Sequence, residues 1–359
     1  MSDRPPALGW AWWLLRFLGA LFLFVGALQV MKTGAAALEV LNNEGFLVRN
    51  AGSTFGLGWI GALFVLSGSP VAASALTLVA ADSITEVQGF TMMTGSRLGA
   101  AFVVLLVAVI YALRGGTGNR MAPVSTAVMA LFCTALIYLP GAVVGFGLLR
   151  WGPFHGLNLE FPNRFNDLLD VVYGGLLTRI DQLPAVVLFL GGLGLLLLAF
   201  KLIDTVVPEL DDTDIESSRL SWLESKWPMF ALGCLVALVT MSVSVALTVL
   251  VPLVAKGYVK RENILPYILG ANITTLGDTL LAALLLNSGA AVRIVLAGII
   301  GTTIVSIALL ALFYPSVKTI VWKLQRAVVR GGSKTRLAAF TAVLFATPVA
   351  IIVAAGALG

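Results

Sequence analysis

Residues 232–275 repeat residues 57–100 without a gap, each position n matching n+175. Leu57, Gly58, Ala62, Leu63, Ser67, Ser69, Leu78, Val79, Ala80 and Gly95 are identical to Leu232, Gly233, Ala237, Leu238, Ser242, Ser244, Leu253, Val254, Ala255 and Gly270. Ten identities in 44 positions are modest for so apolar a chain, but their kind is informative. Two serines two apart, and a glycine 28 residues after the first, interrupt hydrophobic stretches in both copies. Gly19 stands at the same offset from Gly194, so each copy opens with an apolar helix. A chain duplicated in this way has to fold as two similar halves, each accommodating the same polar breaks.

Hydrophobic residues make up 59% of the 359 positions and charged residues 11%, more apolar surface than a soluble chain of this length hides. Apolar runs near 8–30, 58–80, 86–113, 121–149, 184–202, 229–255, 263–286, 291–314 and 337–358 reach or approach bilayer-spanning length. Trp10, Trp12 and Trp13 open the first run and no small-residue cleavage site follows, so it reads as a membrane helix rather than a removed signal. The expected fold is an all-α polytopic membrane protein. Repeat one covers 1–149 and repeat two 184–314. Residues 150–183 link them, 315–336 form a basic loop, and 337–359 add a helix outside the repeats.

The net charge of +5 is not a nucleic-acid signal, because Lys318, Lys323, Arg326, Arg330, Lys334 and Arg336 concentrate in one loop, expected to face the cytoplasm. If each repeat crosses the membrane an odd number of times, the copies are inverted and 150–183 faces outside. Inverted repeats meet about an axis in the membrane plane and form a site near its middle. The acidic run 203–228 reads as a solvated connector. Cys133 and Cys234 lie in apolar segments as free thiols, and His155, the sole histidine, sits in a loop. No nucleophile–base pair or metal-ligand spacing argues for an enzyme.

Ser67 and Ser69, like Ser242 and Ser244, point to nearly opposite sides of a continuous helix and serve one site only if the helix breaks there. Ser69–Pro70 supplies a break: serine is a favoured N-cap and proline suits the first helical position. A half-helix starting at Ser69 offers free N–H groups to an anion. Such backbone is tolerated at depth where it lines a cavity. The bland alternative is a serine bonded back to its own helix. A second break follows at Gly95, Ser96 and Arg97 in repeat one, and at Gly270, Ala271, Asn272, Ile273, Thr274 and Thr275 in repeat two. Asn272 can cap a second half-helix, so each copy is expected to hold two broken hairpins meeting tip to tip.

Arg97 takes the place of Asn272 in the other copy. A charge at bilayer depth costs at least about 2.5–3.5 kcal/mol and needs a partner or a task. Arg97 can clamp an oxyanion with its planar fork, stand where a cation binds elsewhere, or snorkel to an interface. Asp278 is the second intramembrane charge, with roles open as cation ligand, proton carrier or structural partner of Arg97. Asp82 and Glu86, and Lys256, Lys260, Arg261 and Glu262, are expected on turns at the membrane surface.

The segment 240–248, with Thr240, Met241, Ser242, Val243 and Ser244, followed by 264–275, resembles the sodium–phosphate cotransporter family. That family carries a Gln-Ser-Ser-Ser signature in each of two inverted repeats, followed at this distance by a Gly-Ala-Asn-Ile-Gly-Thr segment. Pro266, Gly270, Ala271, Asn272, Ile273 and Thr275 fall in its register. The resemblance implies a sodium-driven symporter whose anion binds between serine hairpins, with Ser67, Ser69, Ser242 and Ser244 in the substrate site and Asn272 and Thr275 bordering it; the reading of the breaks adds Gly68, Gly95, Ser96, Arg97 and Gly270 as candidate substrate residues. Sodium is the co-transported ion the resemblance implies, and the candidate ligands for it are Thr240, Ser242, Asn272, Thr274, Thr275 and Asp278. Leu66 and Met241 replace the glutamines, and Gly68 and Val243 the middle serines. Both substitutions mark a divergent relative.

The expectation is a multi-pass transporter in the cell (plasma or inner) membrane, moving phosphate or a similar small oxyanion with sodium. A homodimer stays open, as do an organic anion, export, or a non-transporting regulatory subunit on the same scaffold.

Overall fold

The computed structural model describes residues 6–36, 47–113, 121–152, 163–206, 225–241, 246–247, 263–329 and 334–358. Helices and the short turns between them account for all of those residues. In chain order the helices are α1 (Pro6–Ala36), α2 (Ala51–Val65), α3 (Ser69–Ala80), α4 (Glu86–Ala100), α5 (Phe102–Leu113), α6 (Met121–Trp151) and α7 (Asn163–Ile180). The series continues with α8 (Ala185–Val206), α9 (Lys226–Thr240), α10 (Ile264–Thr274), α11 (Leu276–Leu285), α12 (Gly289–Ala311), α13 (Tyr314–Val329) and α14 (Lys334–Leu358).

Seven segments among the described residues are long and apolar enough to cross a membrane, as a multi-pass membrane protein requires. Three fall in the first half, Leu14–Ala36, Glu86–Ile110 and Pro123–Trp151. Three fall in the second, Ala185–Ile203, Ile264–Leu285 and Gly289–Ala311, and Thr335–Ala357 is the seventh. The run expected as one span at 58–80 is two helices, α2 and α3. At 1.5 Å per residue they reach only about 22 and 18 Å, short of the roughly 30 Å hydrocarbon core. The connecting segments are not plain loops: the first contains α7, and α13 occupies most of 315–336.

Close backbone packing fixes the helix directions. Thr54 bonds Thr91 at 2.8 Å, and a Cβ on Gly95 or Gly99 would strike the backbone near Phe55 or Trp59. Contacts advance together along both chains, so α2 and α4 run parallel. The pair α9 and α10 repeats this, with Gly270 against Phe230 and, one turn further along both helices, Thr274 bonded to the Cys234 carbonyl. In contrast, α1 and α8 are antiparallel: Gly34 meets Ala185 and Phe189, while Gly192 meets Ala27 and Met31. So are α6 and α12, where Gly141 faces Thr302 and Gly145 faces the Ala297 carbonyl.

Helix ends follow local chemistry. Asn50 caps α2, accepting from the Gly52 and Ser53 N–H groups at 3.0 Å each. Its Nδ2 also donates to the Ala355 carbonyl of α14 at 2.8 Å. Leu66 ends α2 with φ 56°, and Met241, 175 positions on, ends α9 with φ 46°. Left-handed backbone is costly for a residue with a Cβ, so the surrounding fold holds each of them in place.

Candidate functional site

Arg97 lies in the last turn of α4 and Asp278 in the first turn of α11. Each charge therefore complements the dipole of its own helix. Arg97 is eleven residues into the candidate span Glu86–Ile110, about 16 Å along the helix and close to the middle of that span. The two side chains are 3% and 2% exposed, which removes the option that Arg97 snorkels to an interface.

The two charges meet: Arg97 Nη2 is 3.4 Å from Asp278 Oδ1. The same nitrogen donates to Thr279 Oγ1. Thr279 Oγ1 in turn donates to Asp278 Oδ1 at 2.7 Å. Arg97 Nε and Asp278 Oδ2 are buried and have no hydrogen-bond partner among the described residues. A guanidinium–carboxylate pair at its strongest is bidentate, with two short parallel bonds. Here a single long contact joins them, and one guanidinium nitrogen and one carboxylate oxygen are left without a partner among the described residues.

A cavity of about 10 Å³ adjoins the guanidinium, lined among others by Thr94, Arg97, Tyr138, Leu276, Gly298 and Thr302. It has room for about one water. Helices of both halves build it: α4 and α6 from the first, α11 and α12 from the second. The hydroxyls around it are turned to backbone, Thr94 to the Phe90 carbonyl at 2.9 Å and Thr302 to the Gly298 carbonyl at 2.7 Å. Tyr138 donates to the Asn272 carbonyl at 2.7 Å.

The residues singled out in the sequence separate into three groups. Arg97 and Asp278 come together. Asn272 and Thr275 lie close by, with their side chains bonded to neighbouring helical groups. Asn272 is inside α10, donating to the Ile268 carbonyl at 2.8 Å and to Thr134 at 3.3 Å. It therefore caps no half-helix, because its amide is committed within its own helix and to α6. Thr275 donates to the Asn272 carbonyl at 3.4 Å, Thr274 to the Cys234 carbonyl at 2.8 Å, and Thr240 to the Val236 carbonyl at 2.8 Å. Ser96 bonds back to Met93.

Ser67, Gly68 and Ser69 form the α2–α3 turn. Helix α3 begins at Ser69 with Pro70 in its first turn, but the N-cap position is Gly68 and no side chain caps it. Gly68 rests on Ser96 and Ala100 of α4, and neither serine lines the cavity. Ser242 and Ser244 lie outside the described residues, as do His155, Lys256, Lys260, Arg261 and Glu262. Gly95 and Gly270 are not hairpin tips. Each sits within a helix, where it lets a neighbouring backbone approach. The second break in each half is displaced a few residues, to Ala101 and Thr275. Both keep right-handed helical dihedrals, so these are kinks within a span rather than reversals.

Glu86 opens α4 and pairs with Arg293 of α12, and Asp82 is an exposed turn residue with φ 54°. Cys133 is buried, Cys234 half-buried, and both are free thiols. Thr279, Tyr138 and Thr134 were not anticipated from the sequence. The last two stand four apart, hydroxyls on one face of an otherwise apolar helix, and that spacing was a readable signal. No protein-family model matches the chain, and neither a curated protein nor a solved structure is significantly similar to it.

Proposed function

We propose that the chain is a secondary active transporter carrying a small inorganic oxyanion, phosphate first, in symport with sodium across the cell membrane. The observation that carries the reading is the buried Arg97 guanidinium, under-bonded close to the middle of its candidate span beside a cavity walled by both halves. A guanidinium there is expensive, and anion recognition is the task its fork performs best. The cavity is too small for an oxyanion, so loading requires the helices to part, as alternating access demands.

Three spans per half support inverted repeats, since an odd number reverses the second copy. The antiparallel courses of α1 against α8 and of α6 against α12 favour the same arrangement, because these helices hold corresponding places in the two halves. In this reading α2 and α3 enter the membrane and return as a re-entrant hairpin. The basic helix α13 then marks the cytoplasmic side. Sodium rests on the resemblance of residues 240–248 and 264–275 to the sodium–phosphate cotransporters.

The test is uptake of radiolabelled phosphate into proteoliposomes under an inward sodium gradient. Uptake is expected to need sodium and to be lost in Arg97→Gln. Absence of phosphate, arsenate or sulfate uptake or exchange under any cation gradient would overturn the proposal.

A further inference from the structure

We infer that Asp278 is a tethered stand-in for the transported anion: it holds the Arg97 guanidinium until an oxyanion displaces it, and the released carboxylate then takes the co-transported cation. The inference rests on the oxyanion reading above and assigns the coupling to one side chain.

The geometry of the pair is that of a replaceable ligand. Asp278 reaches Arg97 through one oxygen at 3.4 Å, while its Oδ2 and the Arg97 Nε have no partner among the described residues. An oxyanion offers the same fork two short bonds and gains on geometry. Thr279 acts as the clasp, because its hydroxyl accepts from Arg97 Nη2 and donates to Asp278 Oδ1.

Charge balance supplies the coupling. The buried pair is neutral. An anion entering alone leaves one uncompensated negative charge in a low-dielectric site, which is costly. A cation arriving beside Asp278 restores neutrality. Anion and cation therefore favour each other's binding, and by linkage the effect is reciprocal. Among the described residues no other group replaces Asp278 or neutralises it. Helix α3 carries no charged residue. Arg293 of α12 pairs with Glu86. Tyr267 of α10 donates to the Ala246 carbonyl, and Tyr138 of α6 to the Asn272 carbonyl. Arg16 and Lys32 lie towards the two ends of the α1 span.

Asp278 is carried on a short helical segment. Helix α11 has ten residues, bounded by the kink at Thr275 and the left-handed turn at Asn287 (φ 47°).

Equilibrium binding of radiolabelled phosphate to the purified full chain tests this, with sodium titrated against choline. In the wild type, phosphate affinity should rise with sodium. Asp278→Asn should bind phosphate about tenfold more tightly without sodium, since the competing tethered state is removed. Its affinity should no longer respond to sodium. Thr279→Val keeps both charges and loosens the clasp, so a smaller gain in affinity with sodium dependence retained is expected. That variant keeps the test decisive if Asp278→Asn does not fold. Wild-type binding together with unchanged or weaker binding in the folded variants would overturn the tether and leave the oxyanion reading standing. Absence of wild-type phosphate binding at every sodium concentration, or equal binding by Arg97→Gln, would overturn both.

Discussion

Gly95 and Gly270, 175 positions apart, make the same contact: a Cβ would stand 2.0 Å from the Phe55 carbonyl oxygen in one half and 2.1 Å from that of Phe230 in the other. Gly58 and Gly233 answer them from the partner helices, where a Cβ would stand 2.0 Å from Met92 O and 2.1 Å from Tyr267 O. Each half therefore packs its parallel helix pair backbone to backbone, by means of equivalent glycines.

Alanine at any of these four glycines should cost roughly 1–3 kcal/mol, because the obstructing atoms are backbone and cannot rotate away. At Gly19 and Gly194 a methyl group would meet nothing within 4 Å, so alanine there should be neutral or stabilising by about 0.5–1 kcal/mol through helix propensity. Thermal unfolding of the six variants in detergent checks this. Equal shifts in the two groups would show that the close approaches do not matter.

The Arg97–Asp278 pair should behave non-additively. Arg97→Met strands a buried carboxylate and should destabilise by about 3–5 kcal/mol, whereas Arg97→Met with Asp278→Leu should recover most of that loss. Phosphate binding should stay absent in both. A double-mutant cycle on unfolding free energy reads the coupling, and simple additivity would mean the two charges act independently.

Asn50→Ala should cost about 1–2 kcal/mol, since it removes the cap of α2 together with the bond to the Ala355 carbonyl. Ser53→Ala breaks the reciprocal half of the capping box, Ser53 Oγ to the Asn50 N–H at 3.0 Å, and should cost less. Unfolding midpoints of the two variants decide the order.

Sidedness is open to cysteine labelling in intact cells. Gln182→Cys, in the link between the halves, should react with a membrane-impermeant maleimide added outside. Thr319→Cys, on an exposed face of α13, should react only after permeabilisation. Cys133, fully buried, should stay unlabelled in both. Labelling of both introduced cysteines from one side would refute an odd number of crossings between them.

The duplication made much of this legible. It anticipated matched features 175 positions apart, and the paired glycines and the left-handed Leu66 and Met241 have that spacing. Intramembrane charge pointed to Arg97 and Asp278, because burial of a charge is costly wherever the chain runs. The sequence misled where one residue type serves two purposes. Gly95 and Gly270 read as chain breaks, but a helical glycine also admits a neighbouring backbone. Asn272 read as a cap, but its partner Thr134 lies 138 residues away, a contact that no local pattern announces.

The Asn50–Ala355 hydrogen bond joins residues 305 apart. At about 5–20 residues per second of synthesis, α2 is complete on the order of 15–60 s before its clasp exists. During that interval the Asn50 amide donor at the α2 end has no final partner. Biogenesis of the first half is therefore tied to delivery of α14, and a nascent chain stalled ahead of that helix would present quality control with an unfastened α2 end.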